Sequence, residues 1–305
     1  MRKIIFFGTP NFAVPILDRI IKNDLEIICV FTQPPKRSNR GQKILKSPVH
    51  NYAEKFNLKI KTPENIKKEE NFIKTAEFDL GIVVAYGQII SETILESCKY
   101  GFINIHASLL PKYRGAAPIQ RSLINLEKFT GISFMKLNNV LDSGPICNQY
   151  KIQINITDNS ETLSKKLSEL SAEKIIHNIE LIFSNKATFV DQIHDKASYA
   201  EKINKMEGKI NWNESAQNIQ GKINGLFPNP GAWFEFKKER YKIIKSELSE
   251  LTGKPGEVLD NLLTVGCGKK SIKILEIQRQ GKKSQNISSF LLGSKIKKGV
   301  TLKYE

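Results

Sequence analysis

Asp79-Leu80-Gly81-Ile82-Val83-Val84-Ala85 is an almost unbroken apolar run. Continuous apolarity over so short a length reads as a strand covered on both faces, and parallel sheets are where such strands occur. Outward from it, strand-like and helix-like stretches alternate. Towards the amino end, residues 2–7 and 25–32 read as strands, with a helix between them at 12–21. Helices at 49–57 and 64–76 flank a short strand at 58–60. Towards the carboxyl end, a short helix at 91–97 leads to a strand ending at His106. A helix at 116–123 and strands at 131–137 and 146–154 follow. This alternation predicts an α/β fold with a doubly wound, Rossmann-like sheet. The first turn carries Gly8-Thr9-Pro10 in place of a Gly-x-Gly-x-x-Gly fingerprint, which disfavours a nicotinamide or flavin enzyme.

Asp158-x-x-Glu161 reads as a capping box opening a long helix. Its stripe of Leu163, Leu167, Leu170, Ile175, Ile179 and Ile182 has helical spacing and suits a core face. The pattern then loosens. Beyond a helix at 213–225, short strands at 239–247, 256–260, 262–267 and 271–279 are separated by turns such as Gly253-Lys254-Pro255-Gly256. Several short strands in so few residues predict a small β-barrel or sandwich. The expected organisation is a catalytic domain over 1–188, a linker over 189–207 and a β-domain over 208–305.

Charge is the strongest compositional fact. The 305 residues carry a net +16 and are 40% apolar. Residues 208–305 hold 18 Lys and Arg against 9 Asp and Glu, so the carboxyl third is the more basic part per residue. A basic module beside a less basic one points to a polyanionic partner, most simply nucleic acid. Residues 33–48 read as a loop with five cations, among them Lys36, Arg37, Arg40 and Lys43, and no acid occurs between Glu26 and Glu54. A loop this long is either functional or a solvated excursion. The four cysteines are scattered, which suits reduced thiols in a cytoplasmic protein with no disulfide framework and no zinc or other metal site. No apolar run approaches a membrane span, and the opening residues read as a first strand, not a signal peptide.

Candidate chemistry concentrates in Phe102-Ile103-Asn104-Ile105-His106-Ala107-Ser108-Leu109-Leu110-Pro111-Lys112-Tyr113-Arg114-Gly115. Asn104 and His106 are two apart, so on a strand they share a face. An amide and an imidazole at the carboxyl end of a buried strand suit a reaction centre, or else a buried pair satisfied by backbone. Asp142, in the glycine-bearing loop 138–144, is the natural partner of His106; a turn-capping aspartate is the plainer reading of that residue alone. A carboxylate beside an imidazole fixes its orientation. The three together could hold an oxyanion formed on a carbonyl and manage the protons of an acyl transfer. No Gly-x-Ser-x-Gly elbow is present, and no cysteine accompanies His106, so direct transfer without a covalent intermediate is favoured.

Asn104-x-His106-x-Ser108-Leu109-Leu110-Pro111, followed by Arg114-Gly115-Ala116-Ala117-Pro118-Ile119-Gln120, resembles the signature of the 10-formyltetrahydrofolate-dependent formyltransferases. Leu141-Asp142-Ser143-Gly144 resembles the family's second motif. Tyr199-Ala200-Glu201-Lys202-Ile203, Pro230-Gly231-Ala232-Trp233-Phe234 and Pro255-Gly256-Glu257-Val258 resemble its carboxyl region. The resemblance implies a catalytic set of Asn104, His106 and Asp142. It also implies a formyl-folate site at Ser108, Leu109, Leu110 and Pro111, and acceptor-stem contacts from Lys36, Arg37, Arg40 and Lys43, with Arg40 foremost. It further implies an OB-like carboxyl domain that binds tRNA. The implied reaction moves a formyl group from 10-formyltetrahydrofolate to the α-amine of initiator methionyl-tRNA, in a monomer without a metal. Ser143 stands where threonine is usual, and Tyr113 where tryptophan is common. Other readings are an acceptor that is a ribonucleotide amine or an amino sugar, hydrolysis of the folate, and RNA binding without catalysis. The basic loop and basic carboxyl domain speak for tRNA; the intact trio speaks for catalysis.

Overall fold

The structure, a computed structural model, describes residues 2–23, 25–38 and 43–303. The chain divides into two compact units. One comprises Met1–Gly115, Thr130–Ile152 and Ser164–Tyr199; the other comprises Ala116–Phe129, Gln153–Leu163 and Ala200–Glu305. In chain order the elements begin with β1 (Lys3–Gly8), α1 (Val14–Ile21), β2 (Glu26–Phe31), β3 (Lys36–Ser38), β4 (Lys43–Leu45), α2 (Pro48–Lys55) and β5 (Ile60–Lys61). Next come α3 (Glu70–Thr75), β6 (Leu80–Val84), α4 (Glu92–Leu95), β7 (Phe102–His106), α5 (Pro118–Ile124), β8 (Phe129–Lys136), β9 (Ile146–Gln153) and α6 (Ser160–Phe183). The carboxyl part holds α7 (Ala216–Leu226), β10 (Ala232–Phe236), β11 (Glu239–Ser249), β12 (Thr264–Gly266), β13 (Ser271–Arg279), β14 (Ser284–Asn286) and α8 (Ile287–Leu292).

The first unit is built on a seven-stranded sheet of order β5-β2-β1-β6-β7-β8-β9. Strands β5, β2, β1, β6 and β7 pair in parallel, and β8 runs antiparallel to β7. The apolar run at 79–85 is β6, buried along its whole length at the sheet's centre, as its composition requires. Gly81 within it is needed for close approach: a Cβ there would lie 2.3 Å from the Phe102 ring on the neighbouring strand. Phe102 instead joins a core layer in which Phe7 stacks on Phe31, their centroids 4.9 Å apart, and meets Tyr86 edge-on. The doubly wound expectation holds, with an antiparallel edge added.

The long helix α6 departs from its expected cap by one residue. Asn159 caps it, its Oδ1 accepting from Glu161 N and Thr162 N at 3.0 Å each, while Asp158 turns back to take Asn155 N at 2.8 Å. Both side chains are good caps, and geometry chose the amide. Residues 33–48 are not featureless: β3 and β4 pair as a short antiparallel hairpin, with Lys36 opposite Leu45.

In the second unit, β10, β11, β13 and β12 form an antiparallel sheet with β14 added at β13, a curled arrangement consistent with an OB-like half-barrel. Register shifts near Ile243 and Lys245 supply the curl. Trp212, Ile219, Phe234, Ile243 and Ile274 fill its core. The strand expected at 256–260 reduces to isolated bridges, Glu257 with Thr301 and Val258 with Val265. Residues 190–199, in the stretch expected as a linker, belong to the first unit, where Val190 bridges to Ile146 and Tyr199 to Arg114.

Candidate active site

Asn104 and His106 stand on one face of β7, as strand alternation demands, and both are buried. Asp142 meets both. Its Oδ1 accepts from Asn104 Nδ2 at 3.3 Å, and its Oδ2 lies 3.6 Å from His106 Nδ1 and accepts Gly115 N–H at 2.8 Å. The route by which Asp142 arrives follows from the strand directions. Because β8 is antiparallel to β7, its carboxyl end lies beside the start of β7, Lys136 opposite Ile103. The loop from Asn138 to Gly144 therefore doubles back along β7 to bring its carboxylate to the pair. Gly144 makes that return possible, since a Cβ would sit 1.8 Å from the Lys136 carbonyl oxygen. Asp142 itself adopts φ +46°, a left-handed conformation that aspartate tolerates better than most residues.

His106 has both ring nitrogens engaged. Nε2 lies 2.8 Å from the Tyr113 carbonyl, which can only accept, so Nε2 carries hydrogen and Nδ1 faces Asp142. The Tyr113 backbone is turned to φ +62° to present that carbonyl, and its N–H is held by Ser198 Oγ at 3.0 Å. The residue that departs from the family's usual tryptophan thus serves the site through its main chain. Ser143 keeps a hydroxyl within reach of Asn138 Oδ1 and Val140 O, a role open equally to threonine.

The segment Ser108, Leu109, Leu110 and Pro111 is fixed from behind. Ser133 Oγ donates to Ser108 O at 2.7 Å and accepts from Leu110 N at 3.1 Å and from Gln149 Nε2 at 2.8 Å. Gln149 also donates to Leu110 O at 2.9 Å, and Ser108 Oγ to Lys112 O at 2.6 Å. Every hydrogen-bonding capacity of the Ser133 hydroxyl is used. Ser133 and Gln149 escaped sequence reasoning. A lone serine inside the buried strand Ile132-Ser133-Phe134 was the available signal for the first.

Behind the Asp142 loop lies a second network. Arg114 is 2% exposed, yet its partners are uncharged: Gln192 Oε1 accepts from Nε at 3.0 Å and Nη2 at 2.8 Å, and His194 Nδ1 lies 3.4 Å from Nη1 and Nη2. Gln192 Nε2 in turn donates to Asp142 O at 2.9 Å and Gly144 O at 2.8 Å.

Of the expected basic contacts, Lys36 is exposed on β3. Arg40 lies outside the described residues, as do the side chains of Arg37 and Lys43. Within the second unit, a cleft of about 600 Å³ is lined by Lys237, Arg279, Lys282, Lys283 and Lys295 beside Tyr241. Lys282 and Lys283 are exposed and form no ion pair among the described residues. Among those residues no three His, Cys, Asp or Glu side chains group as a metal site, and no helix is long and apolar enough to cross a membrane. Burial pushes all four thiols up, Cys29 and Cys267 to about 12 and Cys98 and Cys147 to about 11.

Residues 1–179 match the family model described as formyl transferase, and residues 202–295 match formyl transferase, C-terminal domain. The chain belongs to the formyl transferase family. The methionyl-tRNA formyltransferase of Pelagibacter ubique is 58% identical over 302 residues, covering 98% of this chain and 97% of its own. That of Thermodesulfovibrio yellowstonii is 45% identical, covering 97% of each chain. Among solved structures, the sugar 3N-formyl transferase WlaRD, described with dTDP and 5-N-formyl-THF, superposes with a TM-score of 0.70 at 25% identity, over 93% of this chain and 99% of that one.

Proposed function

We infer that this chain transfers the formyl group of 10-formyltetrahydrofolate to the α-amine of initiator methionyl-tRNA, giving N-formylmethionyl-tRNA for translation initiation. The observation that carries the reading is the 58% identity to a methionyl-tRNA formyltransferase across essentially the whole of both chains. The donor class is supported by WlaRD and by the Helicobacter canadensis N-formyltransferase, whose descriptions name 5-N-formyl-THF and folinic acid.

The neutral amine attacks the formyl carbon; a C–N bond forms and the carbonyl oxygen becomes an oxyanion. The amide of Asn104 gives that oxygen an N–H, since Asp142 takes only one of its two. His106 supplies the other donor by exchanging its Nε2–H from the Tyr113 carbonyl to the oxyanion, because the charged acceptor forms the stronger bond. Asp142 stands on the Nδ1 side of the ring, its Oδ2 3.6 Å away, and would hold that orientation once Nδ1 also carries a proton. Collapse breaks the bond from carbon to N10, which takes up a proton while the amine gives one away, and no electrons change hands. The donor lies along Ser108, Leu109, Leu110 and Pro111, a wall kept in place by Ser133 and Gln149.

Acceptor binding draws on Lys36, Arg37, Arg40 and Lys43 in the basic stretch 33–48 and on the basic cleft of the second unit, the tRNA-binding part of a two-domain chain. One chain carries the complete trio, so the reading needs only a monomer, and its substrate places it in the cytoplasm. The test mixes purified protein, 10-formyltetrahydrofolate and charged initiator tRNA and follows formyl-methionine. No product, or equal transfer to an amino sugar, sinks the reading. Arg40→Ala is expected to raise the Michaelis constant for tRNA and leave that for the folate unchanged.

A further inference from the structure

Gln192 follows the helix α6 in the chain, in a stretch where the sequence carries no motif. It is nevertheless 6% exposed, and its amide is fully employed, with two hydrogen bonds accepted and two donated. The sense of the amide is settled by chemistry. A guanidinium has only donors, so the atom facing Arg114 must be the oxygen, and the NH₂ must face the Asp142 loop. That NH₂ grips the carbonyls on either side of Ser143, those of Asp142 and Gly144. Asp142 sits at φ +46°, a conformation that persists only where the surroundings enforce it. Here the enforcement comes from two directions: Gly115 N–H holds the carboxylate, and Gln192 holds the main chain.

We propose that Gln192, oriented by the buried Arg114 cation, is a positioning residue that sets the Asp142 carboxylate against Asn104 and His106. The proposal rests on the formyl-transfer reading of that trio. It makes Arg114 the anchor of the site: a buried cation whose partner is a neutral amide is a costly arrangement for stability alone, since a carboxylate would pair with it better. A carboxylate at position 192 could not donate to the loop, and this is the reason the geometry supplies for an amide.

The experiment compares wild type with Gln192→Glu, alone and in an Asp142→Ala background, by kcat and KM for both substrates. The Gln192→Glu change keeps the side-chain volume and gives Arg114 a charged partner, while losing both N–H donors and setting an anion against two carbonyls. The expected result is a fall in kcat of roughly tenfold to a hundredfold with both KM values within about twofold, because misplacing a catalytic group by a fraction of an ångström costs rate and not binding. In the Asp142→Ala background the same change should cost almost nothing further, since the group it positions is gone. Gln192→Met, with no hydrogen bond of either kind, should behave likewise. Full kcat in a folded variant, a change confined to KM, or the same fold loss with and without Asp142 would overturn the proposal. If neither variant folds, Gln192 is a folding residue and the positioning role falls. A wild-type protein that does not formylate would instead sink the functional reading itself, before any variant is made.

Discussion

Asn104 and His106 are 9% and 6% exposed, and their polar atoms meet Asp142 and the Tyr113 carbonyl through a handful of directional contacts, with Asp142 held in turn by Gly115 N–H. Lys282 and Lys283 of the second unit stand in solvent, without an ion-pair partner among the described residues, along a cleft of about 600 Å³. In the first region each hydrogen bond operates with little competing water, so geometry sets its strength, and a displaced donor is expensive. In the second, each charge is screened and replaceable, and what counts is how many there are. A formyl carbon demands the first kind of construction, because charge develops at one oxygen. A polyanion with charge spread along a backbone is met by the second.

The comparison breaks most readily at Asn104. Asn104→Ala removes the donor proposed for the developing oxyanion, and kcat should fall by roughly 10²- to 10³-fold. Asp142→Ala should cost a similar factor, and the double variant much less than the product, because the residues act as one unit. Single-turnover measurement with saturating charged tRNA checks this. Near wild-type turnover in either variant would reduce the trio to a satisfied core cluster.

That trio was legible to different depths. Asn104 and His106 could be read directly, because a period of two places them on one face whatever surrounds the strand. The partnership with Asp142 was legible as chemistry, but its path was not. A strand buried on both faces looks the same whether its neighbour is parallel or antiparallel, so the reversal at β8 and the doubling back of 138–144 left no trace in composition. The parallel core could be read from 79–85, where apolarity is unbroken. Gln192 and Gln149 could not be read at all, since each acts through contacts made far along the chain by residues of ordinary polarity. The misplaced cap at Asp158 shows the limit of local rules: Asp158 and Asn159 are equally good candidates, and only the turn at Asn155 decides between them.

The second region should respond by degrees. Neutralising Lys282 and Lys283 to Gln is expected to weaken tRNA binding while leaving kcat at saturating tRNA unchanged. If both lysines contact phosphates, the slope of log affinity against log salt should fall in magnitude by about 2. Binding measured between low and physiological salt reads this. An unchanged slope would show that the cleft is solvated decoration, and would leave Lys36 and its neighbours to carry the acceptor.

A pair in the second unit lies between these extremes and shows the smallest effect. Arg121 grips Glu207 with two hydrogen bonds, Nη1 to Oε2 at 2.6 Å and Nη2 to Oε1 at 3.2 Å, and Glu207 Oε1 also takes Asn204 N at 2.6 Å. The Arg121 hydrogen bond is the main cause that holds the Glu207 carboxyl below its ordinary value. A carboxyl lowered by folding adds stability that is complete above its unfolded value, near 4.3, and is lost as pH falls through the folded one. Glu207→Gln keeps an acceptor for Asn204 but gives up the charge. With Glu207 about a third exposed, screening limits the cost at pH 7 to no more than about 1 kcal/mol. Denaturant midpoints of the two proteins should therefore differ slightly at neutral pH and converge towards pH 3. A gap that persists in acid would mean that the carboxyl stabilises by shape and hydrogen bonding, as the buried trio does, and not by charge.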